Sequence, residues 1–198
     1  MSLCYSQTVA QKAYLHLGSE ENKSGQAMAA VLSKQDILVL LKRTPPLVEA
    51  AIDLEEQIQP NGIDLTVQSV ALIASAGQIG SSAEERRLSN HSPLQFDALG
   101  FLDLTPGCYV VTFNEILNLP KNIMALGKPR SSLLRCGVSI NTAVWDAGYS
   151  GRSQSLMVIY NPYGFRLSRN ARILQLVFLP LTEETVTGYE GIFQGENV

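Results

Sequence analysis

Three features of this 198-residue chain predict a mainly β fold, either a sandwich or a barrel. Short apolar or alternating runs recur from Gly62 to Leu181. Clusters of Gly, Pro, Asn and Ser separate them at short intervals, as strands joined by turns require. A helix signature with both a start and a stop occurs near residue 35 and is not repeated through the apolar runs.

Residues 1–30 read as an N-terminal extension, with a short helix conceivable over Val9–Leu17 and a polar, Gly- and Ser-containing stretch after it. Ser33 can cap a helix, and Asp36 three residues on completes a weak capping box. Ile37, Leu38, Leu40 and Leu41 give that helix an apolar face, and Pro45-Pro46 stops it. Leu47–Ile58 fits a helix by periodicity alone. From Gly62 the period changes: Ile63, Leu65 and Val67 alternate, and Val70–Ile73 continues the apolar run. Residues 74–100 are polar and read as a long excursion. Strands are then expected over Cys108–Phe113, Ile123–Leu126, Val138–Val144, Leu156–Tyr160, Phe165–Leu167 and Ile173–Leu181. The turns between them are marked by Pro106-Gly107, Leu119–Asn122, Gly148, Asn161–Gly164 and Ser168–Asn170. The domain is therefore expected over residues 31–182, with a polar tail over residues 183–198.

Composition narrows the function. Net charge is −3, which argues against a general nucleic-acid binder. Hydrophobic residues make up 45% and charged residues only 17%, so part of the surface is expected to be buried between subunits. The three cysteines have no metal-ligand spacing and leave an odd one over, as free thiols in a reducing cytoplasm would. Two histidines make a His-rich metal site improbable. No apolar run is long enough for a transmembrane helix, and no secretory signal opens the sequence.

The chemistry concentrates between Lys128 and Arg152. Pro129-Arg130-Ser131-Ser132 is a basic, hydroxyl-rich turn; Arg130 can fork two donors onto a phosphate, and the serines add short hydroxyl donors. The run to Val144 leads to Trp145–Gly151, where Gly148 and Gly151 mark a reversal carrying the Asp146 carboxylate and the Tyr149 phenol. One carboxylate, one phenol and several phosphate-type donors suit a phosphorylated small molecule. Each also has an ordinary alternative: a turn Asp bonding its own backbone, an aromatic filling the core, a solvated basic turn.

These residues resemble a known family. PRSSLLRCG is similar to the phosphate-binding motif of the dUTPase and dCTP deaminase superfamily, and AVWDAGYSG to its nucleoside-binding motif. Gln59–Leu65 resembles the first motif in its archaeal form, and Asn170–Phe178 the fourth, in the same order and spacing. The resemblance implies a distorted, jelly-roll-type β-barrel with a short N-terminal helix. It implies a homotrimer with shared active sites that hydrolyses dUTP to dUMP and pyrophosphate, with Mg2+ carried on the triphosphate. Asp146 would orient the attacking water. Arg130, Ser131, Ser132, Arg135 and Gln175 would hold phosphates, reached from a neighbouring subunit. Asn141, Thr142, Val144 and Tyr149 would hold the nucleoside, the Tyr149 ring lying under the deoxyribose where a 2′-hydroxyl would otherwise sit. Asp64 would support the site edge. Tyr189, Phe193 and Gln194 would close the site from the C-terminus.

The sequence also departs from that family. The deaminases need a Glu on the strand after the hairpin, and Leu156 or Val158 stands there, depending on which end is counted from. Ile192–Glu196 replaces the Lys-Tyr-Gln-x-Gln tail of the deaminases, and the Gly-rich, Arg-containing arm of bacterial and eukaryotic dUTPases is missing. A dCTP deaminase, alone or bifunctional, and a catalytically silent nucleotide-binding trimer are the alternatives.

Overall fold

The computed structural model describes residues 30–198. The expectations for residues 1–30, including a helix over Val9–Leu17, lie outside the described residues but for the last position.

Helix α1 (Lys34–Leu40) forms as its sequence dictates. The Ser33 side chain accepts from the Asp36 amide and the Asp36 carboxylate accepts from the Ser33 amide, closing a capping box. Ile37 on its inner face is completely buried. Leu47–Ile58 is not one helix. Strand β1 (Val48–Glu49), the four-residue α2 (Leu54–Gln57) capped by Asp53, and β2 (Ile58–Gln59) share it.

The main sheet is a ring. Its strands are β3 (Gly62–Ile73), β4 (His91–Pro93), β6 (Gly107–Phe113), β8 (Ile123–Pro129), β9 (Val138–Asn141), β11 (Gln154–Ile159) and β13 (Arg172–Pro180), with β2 pairing beside β3. The order β8-β13-β3-β6-β11-β9 runs antiparallel throughout. The chain after β9 then returns to β8. The Ala125 amide donates to the Trp145 carbonyl at 2.9 Å and the Trp145 amide to the Ala125 carbonyl at 3.1 Å, so one bridge links the two ends of the order. Closing a sheet removes the exposed edges that invite pairing with other chains. Beside the ring lie a three-stranded sheet of β1, β7 (Ile116–Asn118) and β10 (Ser150–Gly151), and a pair formed by β5 (Phe101–Leu104) and β12 (Phe165–Ser168).

The first six residues of β3 are all buried, not alternately so, because both faces of this central strand are covered. The core is built on Phe113, Phe178, Leu65, Leu176 and Met157, all essentially inaccessible to solvent. β8 extends three residues past the expected Leu126, because β13 pairs with it as far as Pro129. The strand expected over Val138–Val144 ends at Asn141, opposite Leu156, although β11 runs on to Gln154, because the chain there swings towards β8 and makes the Trp145–Ala125 bridge. The excursion over residues 74–100 is partly ordered: a bridge joins Gln78 to Arg87, and β4 folds back onto the end of β3. No helix among the described residues is long and apolar enough to cross a membrane.

Candidate active site

A buried polar network sets the geometry from below. Glu115 is fully buried. Its carboxylate accepts from the Thr66 hydroxyl at 2.6 Å, the Thr66 amide at 2.9 Å and the Gln57 side-chain amide at 2.7 Å. Gln57 also donates to the Asp64 carbonyl at 2.8 Å. Burial pushes the Glu115 carboxyl above its ordinary value, against the pull of those donors. The network pins β3, and β3 carries Asp64.

Asp64 is buried and holds the arginine of the basic turn. Its Oδ2 lies 3.1 Å from Arg130 Nε and 3.8 Å from Arg172 Nη1. Burial raises the Asp64 carboxyl, with Arg130 and then Arg172 pulling it back down. The turn itself is tighter than expected: Arg130 caps the five-residue helix α3 (Ser131–Arg135), and its amide donates to the Ile173 carbonyl. Ser131 and Ser132 are exposed at the first turn, and Arg135 folds back to donate to the Ser131 carbonyl. Gln175 sits on β13 opposite Asp64 and Lys128, half-buried. The five expected phosphate ligands thus cluster around the end of β8 and the middle of β13.

A cavity of about 510 Å³ opens on the other side of the hairpin. Asp146 stands exposed on its wall, and its carboxylate makes no hydrogen bond or ion pair among the described residues. Tyr149 is 5% exposed and lines the same cavity, so its ring both fills core and faces a ligand. Its phenol donates to Glu196 Oε1 at 2.9 Å, and the Tyr189 ring packs edge-on with centroids 5.7 Å apart. Burial, then the Glu196 carboxylate, pushes the phenol well above its usual range; burial likewise raises Glu196. Asn141 and Val144 line the cavity as expected, and Thr142 does not. Leu156 lines it too, whereas Val158 does not, so of the two positions at which a deaminase would carry its Glu, the one at the cavity is aliphatic.

The tail is docked on the hairpin of its own chain. The Tyr189 amide donates to the Ala147 carbonyl, and Gln194 clips the turn by accepting from the Ser150 amide and donating to the Gly148 carbonyl. The Arg152 amide donates to the Glu196 carbonyl at 2.9 Å. Gly148 has φ +87, and a Cβ there would lie 2.6 Å from Gly188 Cα, so the turn needs glycine for its backbone and for the tail above it. Of the expected closing residues, Tyr189 and Phe193 reach the cavity and Gln194 acts on the turn.

Sequence reasoning missed several cavity residues. Leu88, Ser89 and His91 come from the excursion, whose composition gave no sign of a wall, and Ile73 comes from the end of β3. Trp145, Ser153, Ser155 and Glu196 also line the cavity. The two serines had a signal: they occupy the inward positions of a strand row that continues with Met157 and Ile159. Conversely, none of Arg130, Ser131, Ser132, Arg135 and Gln175 lines this cavity in a single chain.

The profile of the family described as dCTP deaminase-like matches residues 31–181. The chain belongs to the dCTP deaminase-like family. Its similarity to the probable deoxyuridine 5′-triphosphate nucleotidohydrolase of Methanosarcina mazei is 50% identity over 85% of this chain and 98% of that one. The deoxyuridine 5′-triphosphate nucleotidohydrolase of Methanocaldococcus jannaschii is 39% identical over 71% of this chain and 89% of that one. Among solved structures, the 2′-deoxycytidine 5′-triphosphate deaminase of Agrobacterium tumefaciens superimposes with a TM-score of 0.57 at 22% identity. That match covers 75% of this chain but about half, 47%, of the other. The barrel is thus the one expected of a dCTP deaminase-like protein.

Proposed function

We propose that the protein hydrolyses dUTP to dUMP and pyrophosphate as a homotrimer. The observation that carries this is Asp146: a free, accessible carboxylate on the wall of a cavity whose floor is the Tyr149 ring. Asp146 accepts the proton of a water whose oxygen bonds to the α-phosphorus; the bond from that phosphorus to the bridging oxygen breaks, and pyrophosphate leaves with the electron pair. The family and the names of its archaeal relatives support the substrate. Leu156 on the cavity wall supports hydrolysis over ring deamination, because an aliphatic side chain cannot activate water.

Mg2+ arriving on the triphosphate would offset part of its charge. An ion so carried needs no cage of protein ligands, and among the described residues no group of three or more His, Cys, Asp or Glu side chains could form one. Asp146, at the cavity wall, would be the protein carboxylate available to such an ion.

The separation of the phosphate ligands from the cavity within one chain supports a shared site. Arg130 and its serines would complete the cavity of a neighbour. Leu134, 69% exposed beside Ser131 and Ser132, and Leu126 on β8 offer apolar surface for that contact. The test is incubation of purified protein with dUTP, dCTP, UTP and dTTP plus Mg2+, followed by separation of products. Formation of dUMP and pyrophosphate from dUTP is expected; release of ammonia from dCTP without dUTP turnover would overturn the assignment.

A further inference from the structure

Glu115 does not line the cavity, yet every side-chain bond it makes falls on the chain around Asp64. Its carboxylate accepts from the amide and the hydroxyl of Thr66, two residues after Asp64 on β3. It also accepts from the Gln57 side chain, which donates in turn to the carbonyl of Asp64 itself. Residues two apart on a strand face the same way, so the clamp on Thr66 fixes the side to which the Asp64 carboxylate projects. Gln57, Asp64, Thr66 and Glu115 are all buried. An apolar side chain would fill the Glu115 site with less desolvation cost.

The same piece of β3 faces a bulge in β13. Thr66 pairs with Arg172 and Leu65 with Leu174, which leaves Ile173 as the extra residue. Arg130 is held there from three sides. Asp64 Oδ2 lies 3.1 Å from its Nε, the Ile173 carbonyl accepts from its amide at 3.0 Å, and the Arg172 carbonyl accepts from Nη1 at a long 3.5 Å. Even so, 33% of the Arg130 side chain stays accessible, so the guanidinium is aimed as well as held.

Resting on the reading above, we propose that Glu115 is a positioning residue of the phosphate subsite: by clamping Thr66 and Gln57 it fixes Asp64, and through Asp64 the direction in which Arg130 reaches a phosphate in a neighbour's cavity. Glu115 itself never meets the substrate. Its loss lets the Asp64 segment shift against the bulge. A guanidinium that grips two phosphate oxygens at once loses much of that grip when it is turned or displaced by a fraction of an ångström.

Glu115→Gln, Thr66→Val and Thr66→Ser separate this role from a merely structural one, with Ile37→Ala, a core loss on α1 outside the network, as the control. Inorganic pyrophosphate and deoxyuridine are the two probes, read by calorimetry at a temperature where every variant is folded. Glu115→Gln and Thr66→Val should weaken pyrophosphate binding about tenfold and leave deoxyuridine binding within about twofold of wild type. Thr66→Ser keeps the hydroxyl and should bind pyrophosphate as the wild type does. Ile37→Ala should lower Tm with both affinities kept. Pyrophosphate binding within about twofold of wild type in Glu115→Gln and Thr66→Val would overturn the proposal. So would an equal loss of both ligands, the mark of a general loosening of the fold. Wild-type protein that binds pyrophosphate but does not hydrolyse dUTP overturns the hydrolysis reading alone; pyrophosphate binding that Arg130→Ala does not weaken overturns the phosphate subsite and this proposal with it.

Discussion

Tyr149 donates its phenol proton to Glu196 across 2.9 Å, joining the hairpin that carries the proposed catalytic carboxylate to the third residue from the C-terminus. The bond fixes the ring that the nucleoside would rest on, so the wall and the tail are one construction. Tyr149→Phe keeps the ring and removes the donor. It should cost about 1–3 kcal/mol, lowering Tm by several degrees, while the preference for dUTP over UTP survives. Tyr149→Ala should lose the preference as well. Measured kcat/KM ratios for the two nucleotides check this, and an unchanged ratio in the Ala variant would return Tyr149 to a packing role.

Asp146→Asn should lower turnover by roughly 10²–10⁴-fold while leaving Tm and dUTP binding close to wild type. The side chain is exposed and bonds to no other described residue, so an amide of the same shape disturbs little. Wild-type turnover in the variant would remove Asp146 from the mechanism.

Gly148→Ala should release the tail. The left-handed backbone there costs an alanine about 1–2 kcal/mol, and its Cβ would strike Gly188 at 2.6 Å. Hydrogen exchange should accelerate at the Tyr189, Gly195 and Arg152 amides, with β3 and β13 still protected. Unchanged protection at those three amides would show that the tail is held elsewhere.

Glu115 predicts a pH dependence of stability. Its native carboxyl is raised above the ordinary value of 4.5 by burial, so the native state binds the proton more tightly than the unfolded chain. That contribution is fully present below 4.5 and is lost as pH rises through the raised native value. Tm followed from acid to neutral pH should show this component in the wild type and not in Glu115→Gln. The variant should also be less stable overall by about 1–3 kcal/mol, because an amide that accepts at one end turns a donor towards the Thr66 amide or hydroxyl. A wild-type pH profile matched by the variant would contradict the assignment.

Arg130→Ala and Asp146→Asn, each inactive alone, should regain part of their activity when co-assembled. Some sites in mixed trimers would hold one intact Arg130 and one intact Asp146. Light scattering should give about three times the 21.6 kDa chain mass. A mass of one chain would refute the trimer, and silent mixed assemblies would refute the shared site.

Much of this architecture is legible in the residues. The Ser33–Asp36 box, the strand of Arg172–Pro180 and the hairpin glycines follow from local chemistry that the fold does not override. The end of β9 at Asn141 was not legible, because it depends on a bridge from Trp145 to Ala125 that draws the chain away from β11. The helical turn after Arg130 was hidden by a composition that suits a loop equally well. Glu196 was invisible as a partner of Tyr149, since nothing local links residues 47 positions apart. The same holds for Leu88 and His91, brought to the cavity by a strand pairing within a polar stretch.

The docking of the tail on Gly148 and Gly151 bears on how this protein can be recombined. A Cβ at Gly151 would sit 2.9 Å from the Tyr149 hydroxyl and 3.1 Å from the Glu196 amide, so the hairpin's outline is cut to one particular C-terminus. Chimeras that exchange residues 189–198 between relatives should therefore work only when residues 146–152 travel with them.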